Sequence, residues 1–384
     1  MRVLILILTF LYAFILPASE VGYYIRSPKA LLMGDAFTAS GDDEFAVFYN
    51  PATLGNARLI EFSLINPVLH GPNLLSNIDD YDSLPRSASE IAQKFANTPV
   101  IIQATGGPML KFGPMGFGFI ANMKTDLNIR NAIYPQLELN YLFDKGFILS
   151  YAYTKGRGGK YEKYNPYKRK KVSTSGYRFS MGASAKYKDR SALSGTFSMF
   201  GTRLLNIITS GAQDITELRK DLGYGHGTAW GADIGMTMLY STGRSEFVFG
   251  LSVLDLAGTN FKQKTEGIAV PEQEMIISSG ISFSQNLPVL SYRLSVDLHP
   301  INSGYDFLRK LHIGGELNLV GLSPLLDIFV GYNSGYFSYG LELNLALFRI
   351  TAGFYGVELG TAYREDEGQR IVAQISIFDF AYDI

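Results

Sequence analysis

Four histidines, His70, His226, His299 and His312, are the only imidazoles in the 384-residue chain, and it contains no cysteine. No two of the histidines have the spacing of a metal-binding pair, and thiolate metal sites and disulfides are excluded with the cysteines. The nearest approach to a hydrolytic constellation is Ser295, Asp297 and His299. These alternate along one extended run, so neighbours two apart stand about 7 Å from each other, too far for a nucleophile, base and orienting carboxylate to share direct hydrogen bonds. The sequence reads as a non-enzyme: no catalytic residue, metal ligand or cofactor is assigned.

A second cluster is cationic. The stretch Lys155 to Lys171 includes Arg157, Lys160, Lys163, Lys168, Arg169 and Lys170, interleaved with Tyr161, Tyr164 and Tyr167. Cations among aromatics suit the phosphates of lipid headgroups or of nucleic acid. The first twenty residues decide between them. Arg2 is a minimal positive region, Val3 to Leu16 is apolar, and Pro17, Ala18 and Ser19 supply the small residues of a cleavage site. Such a segment reads as a signal peptide, cut after Ala18 or Ser19. Export argues against nucleic acid and leaves two readings, contact with outer-membrane lipids and lipopolysaccharide or a solvated loop. The net charge of −1 adds no global field that would favour nucleic acid.

The elements that carry these residues alternate with a period of two. Leu290, Tyr292, Leu294, Val296 and Leu298 are apolar, with Ser291, Arg293, Ser295, Asp297 and His299 beside them. Phe337 to Leu345 repeats the pattern against Ser338, Gly340, Glu342 and Asn344, and Tyr177 to Tyr187 repeats it against Arg178, Ser180, Gly182, Ser184 and Lys186. No later apolar run reaches the eighteen residues that a membrane helix needs. Alternating segments of about ten residues, with short and long links taking turns, are the pattern of a transmembrane barrel with a lipid face and a polar lumen. The fold expected is therefore all-β: a transmembrane antiparallel β-barrel of fourteen strands, or sixteen. The higher number counts the hairpin at Asp144-Lys145-Gly146, between strands 133–143 and 146–155, in the wall, and the lower sets that pair in a loop outside it; both keep a tight link at Lys188 to Ser191 between 176–187 and 192–202. The polar lumen positions expected are Arg178, Arg293, Asp297, His299, Glu316, Glu342 and Arg349. Short helices are expected from Ser87 or Ser89 to Ala96 and over Ile207 to Leu222.

The stretch Ser27 to Leu54, SPKALLMGDAFTASGDDEFAVFYNPATL, has no period-two run and is rich in small residues. It resembles the N-terminal signature of FadL-type outer-membrane transporters and of the related PorV/PorQ-like barrels. Ala30, Met33, Gly34, Ala36, Phe37, Ala39, Asp42, Asp43, Ala46, Tyr49, Asn50, Pro51, Ala52 and Leu54 match; Asp35 and Thr53 depart, where the family has Gly or Ala and Gly. HIGGELNL, VGYNSGYFSYGLELNL and FYGVELG add a weaker likeness at the C-terminal end. The resemblance implies a Gram-negative outer-membrane protein with a signal peptide at 1–19, a periplasmic plug or hatch at 20–57 and a barrel at 58–384. It also implies plug or gate residues Gly34, Asp35, Phe37, Asp42, Asp43, Asn50, Pro51 and Ala52. The function it implies is passive uptake of a hydrophobic small molecule, with a plug rearrangement or a wall opening as the gate. The alternative is a docking or shuttle role with secretion-system or surface-attachment proteins.

Overall fold

A computed structural model describes residues 22–56, 59–72, 100–130, 136–156, 175–198, 223–319, 325–345, 348–360 and 362–383. The two helices expected around Glu90 and Leu218 lie outside the described residues.

The wall is a meander in which each strand pairs antiparallel with the next. Its first strand is broken into β1 (Leu59–Ile65) and β2 (Val68–Pro72), its second into β3 (Val100–Gly106) and β4 (Met109–Phe112). Then follow β5 (Met115–Arg130), β6 (Gln136–Gly156), β7 (Gly176–Ser198), β8 (Tyr224–Ser241) and β9 (Ser245–Leu254), with a two-residue β10 (Lys262–Gln263) on the free edge of β8. The ring continues through β11 (Ile276–Asn286), β12 (Leu290–Leu298), β13 (Leu311–Leu319), β14 (Leu326–Asn333), β15 (Tyr336–Leu345), β16 (Phe348–Glu358) and β17 (Glu367–Asp383). β17 closes it by pairing Phe380 with Phe62 and Val372 with His70. With the two broken strands counted once each and β10 set aside, the barrel has fourteen strands.

Neither expected turn is present: the hairpin at Asp144-Lys145-Gly146 and the tight link at Lys188 to Ser191 both fall inside continuous strands. Asp144 and Gly146 lie inside the 21-residue β6, paired with Arg190 and Lys188 of the 23-residue β7. The charges that resembled turn residues are lumen side chains: Asp144, Lys188 and Arg190 are 2%, 0% and 3% exposed. Losing the first turn reverses the direction of the chain after it. Gly156 and Gly176 therefore end their strands on the rim of the short links at 113–114, 242–244 and 287–289, not on the rim of the long links at 255–275 and 299–310. Lys155 and Gly156 stand at this turn rim, and the remainder of the basic stretch lies outside the described residues. The two-residue link at 334–335 is a short one on the loop rim.

Side chains alternate as the sequence requires. Tyr177, Met181, Leu294, Phe337, Tyr339 and Leu343 face outward, and Ser180, Ser184, Ser295 and Ser338 are buried inside. On the outer face Tyr177 stacks on Tyr240 near the turn rim, and Phe147, Tyr187 and Trp230 form a second aromatic cluster. Ten residues of β8 separate Tyr240 from Trp230. At about 3.3 Å per residue and a tilt of about 40° they rise roughly 25 Å, the height of a membrane-spanning apolar band between aromatic girdles. Just past Trp230 the outer face turns polar, with His226 Nε2 3.0 Å from Asp189. The barrel is a transmembrane one, and β5 to β8 continue beyond the band on the loop side.

Candidate functional site

Residues 22–56 run inside the ring. Ser27 accepts a hydrogen bond from the Ala30 amide at 3.1 Å and caps a short helix, α1 (Pro28–Leu32), with Pro28 at its first position. The helix ends at Gly34 and Asp35, both with positive φ (64° and 67°). Two 3-10 turns follow, Ala46–Phe48 and Pro51–Asn56. Ala30 to Met33, Phe37 and Ala52 are completely buried.

Glycines on the wall let this segment lie flat against it. Gly314 and Gly331 are paired across β13 and β14, and Gly340 and Gly353 across β15 and β16. A Cβ added to Gly331 would stand 2.0 Å from the Gly34 nitrogen, and one added to Gly314 2.4 Å from the Met33 oxygen. At Gly340 and Gly353 it would meet Leu32 at 2.4 and 2.5 Å. On the far side Pro51 lies against Gly182, Asn50 against Gly235, Ala39 against Gly250 and Leu54 against Gly116. The segment touches inner faces around the whole ring.

Polar ties fix its position. Lys29 Nζ lies 2.9 Å from both Glu316 and Asp42, and Arg293 reaches Asp42 at 2.8 Å, Glu316 at 3.0 Å and the Ser40 carbonyl at 3.2 Å. Asp297 accepts the backbone N–H groups of Phe37 (2.8 Å) and Thr38 (2.6 Å). Asn50 donates to the Thr38 carbonyl at 2.9 Å and to the Met236 carbonyl at 3.3 Å, and accepts from the Ala52 amide at 3.0 Å. Glu44 pairs with Arg349 and accepts from Gln374 at 2.9 Å. Asp43 accepts from Ser27, and Lys111 donates to its carbonyl and to Glu61. Burial and the adjacent Glu44 push the Asp43 carboxyl up to about 7.

Asp35 occupies a left-handed position that favours glycine. Its carboxylate accepts from Tyr49 at 3.0 Å and stands 3.7 Å from Arg26. Burial alone would raise its pKa, but Arg26, His299 and His312 hold it below the ordinary carboxylate value. His299 and His312 lie ring on ring, with centroids 3.7 Å apart and planes 6° apart, against the carbonyls of Asp35 and Gly34. Asp35, His299 and His312 have the donor types of a transition-metal site. Their geometry does not fit one. Parallel imidazoles aim their in-plane lone pairs side by side, and all four ring nitrogens are already engaged with Tyr23, Asp35, Gly34 and the His299 carbonyl.

Of the lumen residues expected from sequence, Arg293, Asp297, His299, Glu316 and Arg349 meet the segment. Arg178 is buried near the turn-side end of β7, and Glu342 bonds to Thr351 and Asn344 on the wall. Lys29, Arg26, Glu44 and the wall glycines were not singled out. For the glycines the signal was present, since the paired ones fall in the Gly-rich C-terminal stretch; for the charges it was not.

No family model and no curated protein matches this sequence. Among solved structures, the Ralstonia pickettii toluene transporter TbuX is 12% identical, with a TM-score of 0.48 over 94% of this chain and 100% of that one. The Pseudomonas putida toluene transporter TodX is 9% identical, with a TM-score of 0.39 over 96% and 100%. A Pseudomonas aeruginosa FadL homologue is 10% identical, with a TM-score of 0.30 over 97% and 99%.

Proposed function

We propose that this chain is an outer-membrane transporter of the FadL type, through which a hydrophobic small molecule passes down its own gradient, and that residues 22–56 are the plug that closes the lumen at rest. The observation that carries this reading is a continuous segment that touches the inner wall all around and is held there by ion pairs and hydrogen bonds. Such ties are reversible. In this reading the turn rim faces the periplasm and the loop rim the outside, as short turns and long loops do in outer-membrane barrels.

The inner wall supports an apolar cargo on one side. Val68, Met109, Ile120, Ile148 and Ala152, from β2, β4, β5 and β6, form one apolar cluster with Tyr355, Val357 and Val372 of β16 and β17 and with the plug. The same sector contains a break in the ladder of the wall. Pairing between the first two strands lapses from Ser63–Met109 to Val68–Thr105, and Pro67 and Pro108, which carry no N–H, sit in the gap. The Asn66 side chain accepts from the Gly107 amide at 2.9 Å in place of a ladder bond. A wall opening would start at this seam.

The test is deletion of Val21 to Tyr49, with intact and deleted protein compared in a planar bilayer and in uptake of a labelled aromatic hydrocarbon or fatty acid by cells. The reading expects a barrel that inserts, conducts and takes the compound up unselectively. A deleted barrel that inserts but stays silent would refute it.

A further inference from the structure

The link between β9 and β11 does not extend away from the barrel. Its two-residue β10 extends the free edge of β8 by pairing Lys262 with Thr228, and the amide of Lys264 donates to the His226 carbonyl at 2.8 Å. From this edge the loop folds over the inner face. Gly225, Gly227 and Gly231 all point inward and make room for it: an added Cβ would stand 2.3 Å from the Ile268 oxygen, 3.0 Å from the Lys262 oxygen and 2.7 Å from Thr259 Oγ1. Glycine at alternate positions of a strand leaves a flat track for another backbone.

The loop ends at a buried charged node. Arg190 makes a two-pronged contact with Asp144 at 2.6 and 2.9 Å, donates to the Pro271 carbonyl at 2.8 Å and to Gln273 Oε1 at 3.1 Å, and lies 4.5 Å over the Phe261 ring. Beside it Lys186 and Lys188 hold Asp233 and Asp255, at the root of the loop. This node also holds the start of the interior segment. The Gln273 amide donates to the Gly22 carbonyl, and Lys188 stands 4.3 Å above the Tyr24 ring. One side chain, Gln273, therefore touches the loop's anchor on the wall and the first described residue of the segment.

We propose that the loop 255–275 is a latch on the interior segment: docked on the glycine track and pinned by Arg190, it holds residues 22–26 in place, and lifting it from the loop rim frees the segment to move. The proposal rests on the plug reading and adds its control from the opposite rim. A two-position element biased from one side and coupled to another element is what such control requires. Among the described residues most of the segment's ties are to the wall; besides this one, His299 in the link 299–310 contacts Tyr23 and the Asp35 carbonyl.

The chain's lack of cysteine allows a direct test. Ser40→Cys serves as reporter inside the segment, labelled by a bulky maleimide applied from the turn side of barrels in vesicles. Gln273→Ala removes one hydrogen-bonded tie and should raise the labelling rate about fivefold. Arg190→Ala should raise it further, because it frees the loop as well. Adding Thr228→Cys and Lys262→Cys, which are cross-strand partners, lets a disulfide fasten the loop to β8. In the Arg190→Ala background oxidation should bring labelling back down, and reduction should restore it. Heat-modifiable migration confirms a closed barrel in each variant. Unchanged labelling in Gln273→Ala would overturn the latch, as would a disulfide that makes no difference in Arg190→Ala. Because labelling reports movement of the segment and not passage of a solute, the latch can fail while the deleted barrel conducts, and it can hold while nothing is taken up.

Discussion

Lys29 and Glu316 meet at 2.9 Å, the first on the capped helix inside the barrel and the second on β13, with side chains 7% and 5% exposed. They lie 287 residues apart in the chain. Removing one partner of a buried ion pair costs about 3–5 kcal/mol when the other is left alone. Glu316 keeps Arg293 at 3.0 Å, so Lys29→Met should cost nearer 2 kcal/mol. That loss falls on the interior segment, not on the wall. The variant should still migrate as a heat-modifiable barrel while its bilayer conductance rises above that of intact protein, and the double variant Lys29→Met/Glu316→Gln should conduct less than the single one. A Lys29→Met variant as silent as intact protein would show that this pair does not hold the segment.

The glycine cradle makes a prediction with an internal control. Gly331→Ala puts a methyl group into the backbone of Gly34, whereas a Cβ at Gly71 meets nothing within 4 Å. Overpacking of this kind costs about 1–3 kcal/mol. Gly331→Ala should loosen the segment, read as faster proteolysis at its exposed Asp42 side or as added conductance, and Gly71→Ala should behave as intact protein does. Equal behaviour of the two would place the segment elsewhere than against β14.

The outer face can be tested by charge. Leu343 is 41% exposed within the apolar band, and Arg there should cost about 2–4 kcal/mol and reduce the assembled, heat-modifiable fraction. Glu272→Arg, exposed in the link before β11, should assemble normally. Alternation alone would rate Arg as harmless at Ser295, a lumen position. Ser295 is 1% exposed in an interior already filled, so Arg there should also impair assembly.

The wall was legible because each strand states its own faces: Leu294 and Ser295 need no partner to declare lipid and lumen. The strand count was less so. Lys188-Asp189-Arg190 is a good turn on composition, and only the partners Asp255 and Asp144 make it a good strand. Both lie far from it in sequence. The same limit hid the site. Gly34, Asp35, Phe37 and Asn50 could be named because the motif is local, while Lys29 gives no local sign that it answers Glu316. Nor does the alternation of Gly225, Gly227 and Gly231 say which backbone it admits.

The exit of the segment gives the last prediction. Asn50, Pro51 and Ala52 stand where the segment is handed to β1, and Pro51→Gly would restore backbone freedom worth about 0.4–1 kcal/mol. Asn50 does more. It is fully buried and makes three hydrogen bonds, one to the segment's own Thr38, one across to Met236 on β8, and one back to Ala52. Asn50→Ala removes all three and leaves the Ala52 amide without its acceptor, where each buried unsatisfied group costs about 1–3 kcal/mol. Asn50→Ala should therefore give frequent openings in a planar bilayer, Pro51→Gly rare ones, and deletion of Val21 to Tyr49 steady conductance. Openings more frequent in Pro51→Gly than in Asn50→Ala would mean that backbone stiffness, and not the Asn50 side chain, holds the end of the segment in place.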